Sequence, residues 1–230
     1  MEVKFKNQPS LMASPLESLL LIDEPQLGRS GGLNMAIDEL LLCDCENPWL
    51  RWYAWDEPTL SIGHFEPLPA NANLPVIRRW TGGGLVRHGG EGDYTFALGL
   101  PRSQPHALLR PTTSYQWIHS ALCAALSLVN VSVELADPVQ VSTPGGSCFA
   151  NPVPADLVAP NGQKLAGGAQ RRTRHGMLHQ GSLQTLSLPD DFAECFATEL
   201  CPNWEKADLP KGLLSRAKRL ASVKYPPITV

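Results

Sequence analysis

Apolar residues along the 230-residue chain change period several times, and each change marks an element. Residues 1–25 hold no clean period and read as a strand-like or loose lead-in. After Gly31-Gly32, Met35, Ile37, Leu41 and Leu42 recur at helical spacing, and Asn34 is placed to accept backbone hydrogen bonds as an N-cap. Leu50 to Trp55 and Thr59 to Phe65, rich in aromatic and β-branched residues, read as strands parted by the turn formers Asp56-Glu57-Pro58. Val76 to Trp80 and Asp93 to Leu100 read as strands on either side of Gly82-Gly83-Gly84. Trp117, Ile118, Ala121, Leu122, Ala125, Leu126 and Val129 form the buried stripe of a helix that begins near Pro111.

Val131 to Leu135 returns as a strand, and Asp137 to Pro154, with Pro and Gly but few apolar residues, is a long surface loop of the kind that often carries function. Asn161-Gly162, between Leu157-Val158 and Lys164-Leu165, predicts a two-residue hairpin turn. Met177 to Leu186 gives another strand, and Asp191 to Leu200 and Lys211 to Val223 two short helices. Many strands mixed with few helices predict an α+β fold, with helices packed on a mixed, mainly antiparallel sheet. With 43% hydrophobic residues the chain can bury one substantial core, so residues 1–230 are expected to form a single domain without a C-terminal accessory domain.

Charge and cysteine content narrow the function classes. Nineteen basic against 22 acidic residues give a formal net charge of −3, which argues against a nucleic-acid or anionic-membrane partner. Six cysteines in a chain of this length form no dense disulfide framework, which points to a reducing compartment. The apolar run Leu19 to Ile22 is too short for a secretory core, and no segment reaches the length of a membrane span. A soluble, cytoplasmic protein is expected.

Three constellations could carry chemistry. Arg78-Arg79-Trp80-Thr81-Gly82-Gly83-Gly84-Leu85-Val86-Arg87-His88 offers glycines that let backbone N–H groups approach an acyl oxygen or phosphate, with Arg79 as a fixed cation beside them. Gly162-Gln163-Lys164-Leu165-Ala166-Gly167-Gly168-Ala169-Gln170 places a lysine before small residues against which a long ligand can lie. Leu178-His179-Gln180-Gly181-Ser182 adds a histidine on a strand. Taken singly, each has a plainer reading: a glycine turn, a solvated lysine and a half-buried histidine.

In this order and spacing, together with Asn34-Met35-Ala36-Ile37-Asp38-Glu39, Tyr53-Ala54-Trp55 and Thr59-Leu60-Ser61-Ile62-Gly63, they resemble the family of lipoate–protein ligases and octanoyltransferases, with biotin ligases more distant. Gly145-Gly146-Ser147-Cys148-Phe149-Ala150-Asn151-Pro152 is similar to the Cys-Phe-x-x-Pro of the cysteine-dependent octanoyltransferase branch. The resemblance implies catalysis by Cys148 and Lys164. It also implies an acyl pocket shaped by Arg79, Thr81, Gly82, Gly83, Gly84, His88, Gly167, Gly168, Ala169, His179 and Gly181. In this chain the histidine precedes the glutamine, the reverse of the family's usual order, which turns the imidazole to the other face of its strand.

The activity so implied is octanoyl transfer through an enzyme thioester. The donor would be an acyl carrier protein and the acceptor a lipoyl domain or a glycine-cleavage H-type protein, with no cofactor or metal required. A lipoate–protein ligase is the alternative; it would use ATP, Mg²⁺ and lipoate and need a separate accessory subunit. A loop cysteine beside a lysine and flexible glycines is in a setting that lowers a thiol pKa. For cooperation with Lys164, the loop Asp137 to Asn151 is expected to double back over the sheet.

Overall fold

The computed structural model describes residues 14–137, 149 and 152–228. The chain enters on β1 (Leu19–Arg29), whose Leu19, Leu21 and Ile22 are buried. β1 pairs in parallel with β2 (Trp49–Trp55), and parallel neighbours need a crossover, supplied here by α1 (Gly31–Asp44). β3 (Thr59–Ile62), β4 (Val76–Arg78) and β5 (Val86–His88) form a small second sheet, with β3 in the middle. After it come β6 (Tyr94–Pro101), a 3-10 turn (Pro105–Leu108) and α2 (Pro111–Leu128). Next are β7 (Glu134–Leu135), β8 (Leu157–Val158), β9 (Lys164–Arg172) and β10 (Gly176–Leu183). The chain closes with α3 (Phe192–Leu200), β11 (Trp204–Lys206) and α4 (Leu213–Lys224).

The main sheet runs β11-β1-β2-β6-β10-β9-β8-β7. β1 is parallel to both of its neighbours, and the other pairings are antiparallel. One face buries Phe96, Met177 and Leu183 under α2 and α3; the other buries Trp49, Ala97 and Leu178 under α1 and α4. β10 is covered on both faces, and all eight of its residues are buried. That accounts for its apolar and small side chains, and it leaves His179, Gln180 and Ser182 to find partners inside.

The α+β expectation holds, and three local expectations change. Asn34 is not an N-cap: α1 starts at Gly31 behind Ser30, and the Asn34 amide, fully buried, donates to the carbonyls of Arg29 and Ala54. The β8–β9 turn is longer than two residues, since Ala159 N–H donates to the Gln163 carbonyl around Pro160-Asn161-Gly162, with Gly162 at φ +83°. The strand expected from Val131 pairs only at Glu134–Leu135. Of the expected loop, residues 138–148, 150 and 151 lie outside the described residues, and Cys148 is among them.

Candidate active site

Four separated motifs meet through a buried polar network on the α1 face of the main sheet. Asp38 of α1 and Arg51 of β2, both wholly buried, form an ion pair at 2.9 Å, and Arg51 also donates to the Asn34 side chain at 2.7 Å. The second Asp38 oxygen accepts from the Tyr53 hydroxyl (3.0 Å) and from the Gln180 amide (2.7 Å). The Gln180 carbonyl accepts from Thr81 at 2.8 Å, which joins β10 to the glycine loop. Burial pushes the Asp38 carboxyl up, against the opposing pull of Arg51.

The glycine loop is pinned from below. Arg79 donates through one guanidinium nitrogen to the carbonyls of Gly82 and Gly84, both at 2.9 Å, and through another to the Ser61 hydroxyl at 2.7 Å. Arg79 is therefore first a clamp on the loop. Gly83 sits at φ +84°, a left-handed conformation that glycine adopts freely. A Cβ on Gly63 would fall 2.0 Å from the Gly83 carbonyl oxygen, so the residue after β3 must be glycine for the loop to settle on it. His88 closes this corner: its Nε2 lies 2.6 Å from Ser61 Oγ and its ring stacks on Trp55. Burial, with the Arg79 charge adding to it, holds the His88 imidazole well below its ordinary range, and so neutral. Its Nδ1 is buried with no hydrogen-bond partner among the described residues.

Between this loop and β9–β10 runs a narrow, mainly apolar cavity of about 40 Å³, with Met35, Tyr53, Trp55, Val86 and Phe149 in its lining. It shares Gly83, Gly168 and Ala169 with an open cleft of about 540 Å³ that is also lined by Tyr115 and Gln116 of α2. Of the residues expected to shape the pocket, Arg79, Gly83, His88, Gly167, Gly168, Ala169 and Gly181 line the cavity, and Gly82 lines the cleft. Thr81 and Gly84 act from behind it through their bonds to Gln180 and Arg79.

His179 lies on the other face of the sheet, stacked on Phe96 and edge-on to His119, and Gln180 takes the cavity side instead. The small residues also have a role beyond leaving room for a ligand. A Cβ on Gly168 would meet His179 Nε2 at 2.3 Å, and one on Gly181 would meet the Phe96 ring at 2.2 Å. These glycines let an aromatic layer press against the underside of the sheet. Burial pushes His179 well down and His119 down to about 4.

Lys164 begins β9 and is buried, 4% exposed. Its ammonium pairs with Asp156 at 2.7 Å and stands 5.3 Å from the centre of the Phe149 ring. Asp156 also accepts from the Tyr115 hydroxyl at 2.5 Å and from the Val153 N–H at 2.7 Å, and Tyr115 in turn accepts the Gly168 N–H at 2.9 Å. Lysine, carboxylate, phenol and glycine backbone thus form one connected, buried unit that reaches the cavity through Phe149 and Gly168 and the cleft through Tyr115. Sequence spacing gave no signal for Tyr115, which reaches the site from a helix 41 residues away from Asp156. The five described cysteines are free, and burial pushes each of their thiols up, so none has the setting of a nucleophile.

Residues 30–230 match the lipoyl protein ligase A/B catalytic domain. The chain belongs to that family. An octanoyltransferase LipM of Oceanobacillus iheyensis is 30% identical over 167 residues, 67% of this chain and 60% of that protein. A LipM of Bacillus cereus is 29% identical over 205 residues, 81% of this chain and 72% of its own. This chain therefore spans less than two thirds of the first of these relatives. A solved lipoate–protein ligase A bound with ATP shares the family fold, with a TM-score of 0.69 at 18% identity over 90% of this chain and 95% of that one.

Proposed function

We propose that this family member is an octanoyltransferase of lipoate biosynthesis, which takes the acyl group from a carrier-protein thioester and passes it to a lysine of a lipoyl domain or H-type protein. The observation that carries the reading is the buried Lys164–Asp156 pair, tied through Tyr115 to Gly168 where an apolar cavity meets an open cleft, and beside Phe149, the residue that follows Cys148 in sequence. The relatives named octanoyltransferase LipM support octanoyl transfer as the activity.

In the first step the Cys148 thiolate attacks the thioester carbonyl. A new C–S bond forms as the carrier's C–S bond breaks, and the carrier thiolate leaves and takes up a proton. In the second step the neutral acceptor amine attacks the acyl-cysteine; the C–N bond forms, the Cys148 sulfur departs as thiolate and the nitrogen gives up a proton. Lys164 supplies a fixed positive charge for the anionic sulfur and the developing oxyanion, and Asp156 and Tyr115 hold it in place. The narrow cavity takes the acyl chain, with the Gly83, Gly168 and Ala169 backbone at its mouth.

The test is transfer without nucleotide. Octanoyl transfer from octanoyl carrier protein to a lipoyl domain is expected with no ATP or Mg²⁺ added. ATP–pyrophosphate exchange dependent on octanoate or lipoate, without that transfer, would replace this reading with the ligase chemistry.

A further inference from the structure

The stretches 94–133 and 157–189 hold six arginines or lysines and no aspartate or glutamate, in a chain of formal net charge −3. The fold brings four of the six together beside the cleft. Arg102, Leu108, Arg110 and Arg172 line a depression of about 300 Å³ that shares Pro111 with the cleft. Arg174 stands on the β9–β10 turn, which Arg102 joins through its N–H to the His175 carbonyl. Arg172 is the anchor: its guanidinium donates to the Ala107 carbonyl at 2.6 Å and to Ser114 Oγ at 2.7 Å, fixing the 3-10 turn and α2 against the hairpin.

Arg102, Arg110 and Arg174 are exposed, and none of these four arginines is in an ion pair with another described residue. Among them Leu108 is 62% exposed. An apolar centre with a basic rim suits a carboxylate-rich amphipathic helix.

We propose that this face docks the acyl-donor protein, whose acidic helix lies across Leu108 with its carboxylates on Arg102, Arg110 and Arg174. The proposal rests on the acyl-transfer reading above. Distance favours the donor over the acceptor. Arg172 is four strand residues beyond Gly168, about 13 Å along β9. A partner held there must carry its reacting group on a long arm, as a carrier protein carries its thioester. An acceptor lysine has only a four-carbon stem and must bring its own domain up to the cleft.

The triple variant Arg102→Glu/Arg110→Glu/Arg174→Glu separates the possibilities, with acyl-enzyme formation followed from octanoyl carrier protein and from octanoyl-N-acetylcysteamine, a thioester without a protein. With the carrier, kcat/KM is expected to fall by at least about tenfold at low salt, whereas with the small thioester it stays within about twofold. Added salt should narrow the gap for the carrier, because exposed charges are screened. Equal rates for wild type and variant with the carrier overturn the proposal. So does an equal loss with both donors, or a loss confined to the later transfer from pre-acylated enzyme to acceptor, which assigns the face to the acceptor. A wild-type chain acylated by neither donor removes the acyl-transfer reading, and the docking with it. If the triple variant does not fold, the single variant Arg110→Glu carries the same comparison.

Discussion

Removing the Asp156 charge tests the Lys164 unit. The Lys164–Asp156 contact is 2.7 Å between side chains that are 1% and 0% exposed. At that distance and an effective dielectric of about 20, the gross attraction is about 6 kcal/mol. Desolvation offsets much of it, so the informative quantity is the cost of removing one partner, about 3–5 kcal/mol for a buried pair. Asp156→Asn should sit in that range, since its amide also turns a donor toward groups that already donate to this carboxylate. Urea unfolding at pH 7, followed by circular dichroism, should show a midpoint lowered by about 1 M or more, for a slope of about 3 kcal/mol/M. In the cycle with Lys164→Met, the double variant Asp156→Asn/Lys164→Met should cost about as much as either single change, and each of the three should abolish acyl transfer. An Asp156→Asn cost below about 1 kcal/mol, or strictly additive singles, would refute the pairing as the device that holds Lys164.

Asp38→Ala removes the partner of a fully buried arginine along with the acceptor for Tyr53 and Gln180, and should cost about 3–5 kcal/mol in the same unfolding assay. His119, held at about 4 against 6.5 when unfolded, stays neutral in the fold while the unfolded chain takes up a proton; stability is therefore full above about pH 6.5 and falls as pH drops through 4, by about 3 kcal/mol. His88 and His179 add to that fall. Urea midpoints at pH 7 and 4.5 measure it, and His119→Phe should flatten it. Gly63→Ala, with a Cβ driven 2.0 Å from the Gly83 carbonyl, should displace the glycine loop and cut octanoyl transfer at least about tenfold, read as initial rate, for about 1–3 kcal/mol of overpacking.

The elements that periodicity located are those whose packing is local: the stripe of α2, the aromatic strand β2 and the helix α3 lie close to where their apolar spacing put them. What pattern could not supply was partnership across the fold. Asn34 has the chemistry of an N-cap, but two carbonyls and Arg51 claim its side chain inside the helix. Arg79 reads in the motif as a fixed cation beside the glycines, offered to a ligand, whereas its donors go to the glycine carbonyls. The alternation of β10 did identify His179 as facing away from the motif's usual side, and the structure agrees. Tyr115 and Asp156 carry no local signal as a pair, because only the antiparallel return of β8 and β9 brings that aspartate under α2.

The thioester itself is the most direct test of the account. Intact-mass and peptide analysis after incubation with octanoyl carrier protein should show one octanoyl adduct, on Cys148, that hydroxylamine removes, that a lipoyl domain discharges and that Cys148→Ser abolishes. An adduct on Cys43, Cys45, Cys123, Cys195 or Cys201, or none from a donor competent with another octanoyltransferase, would contradict it.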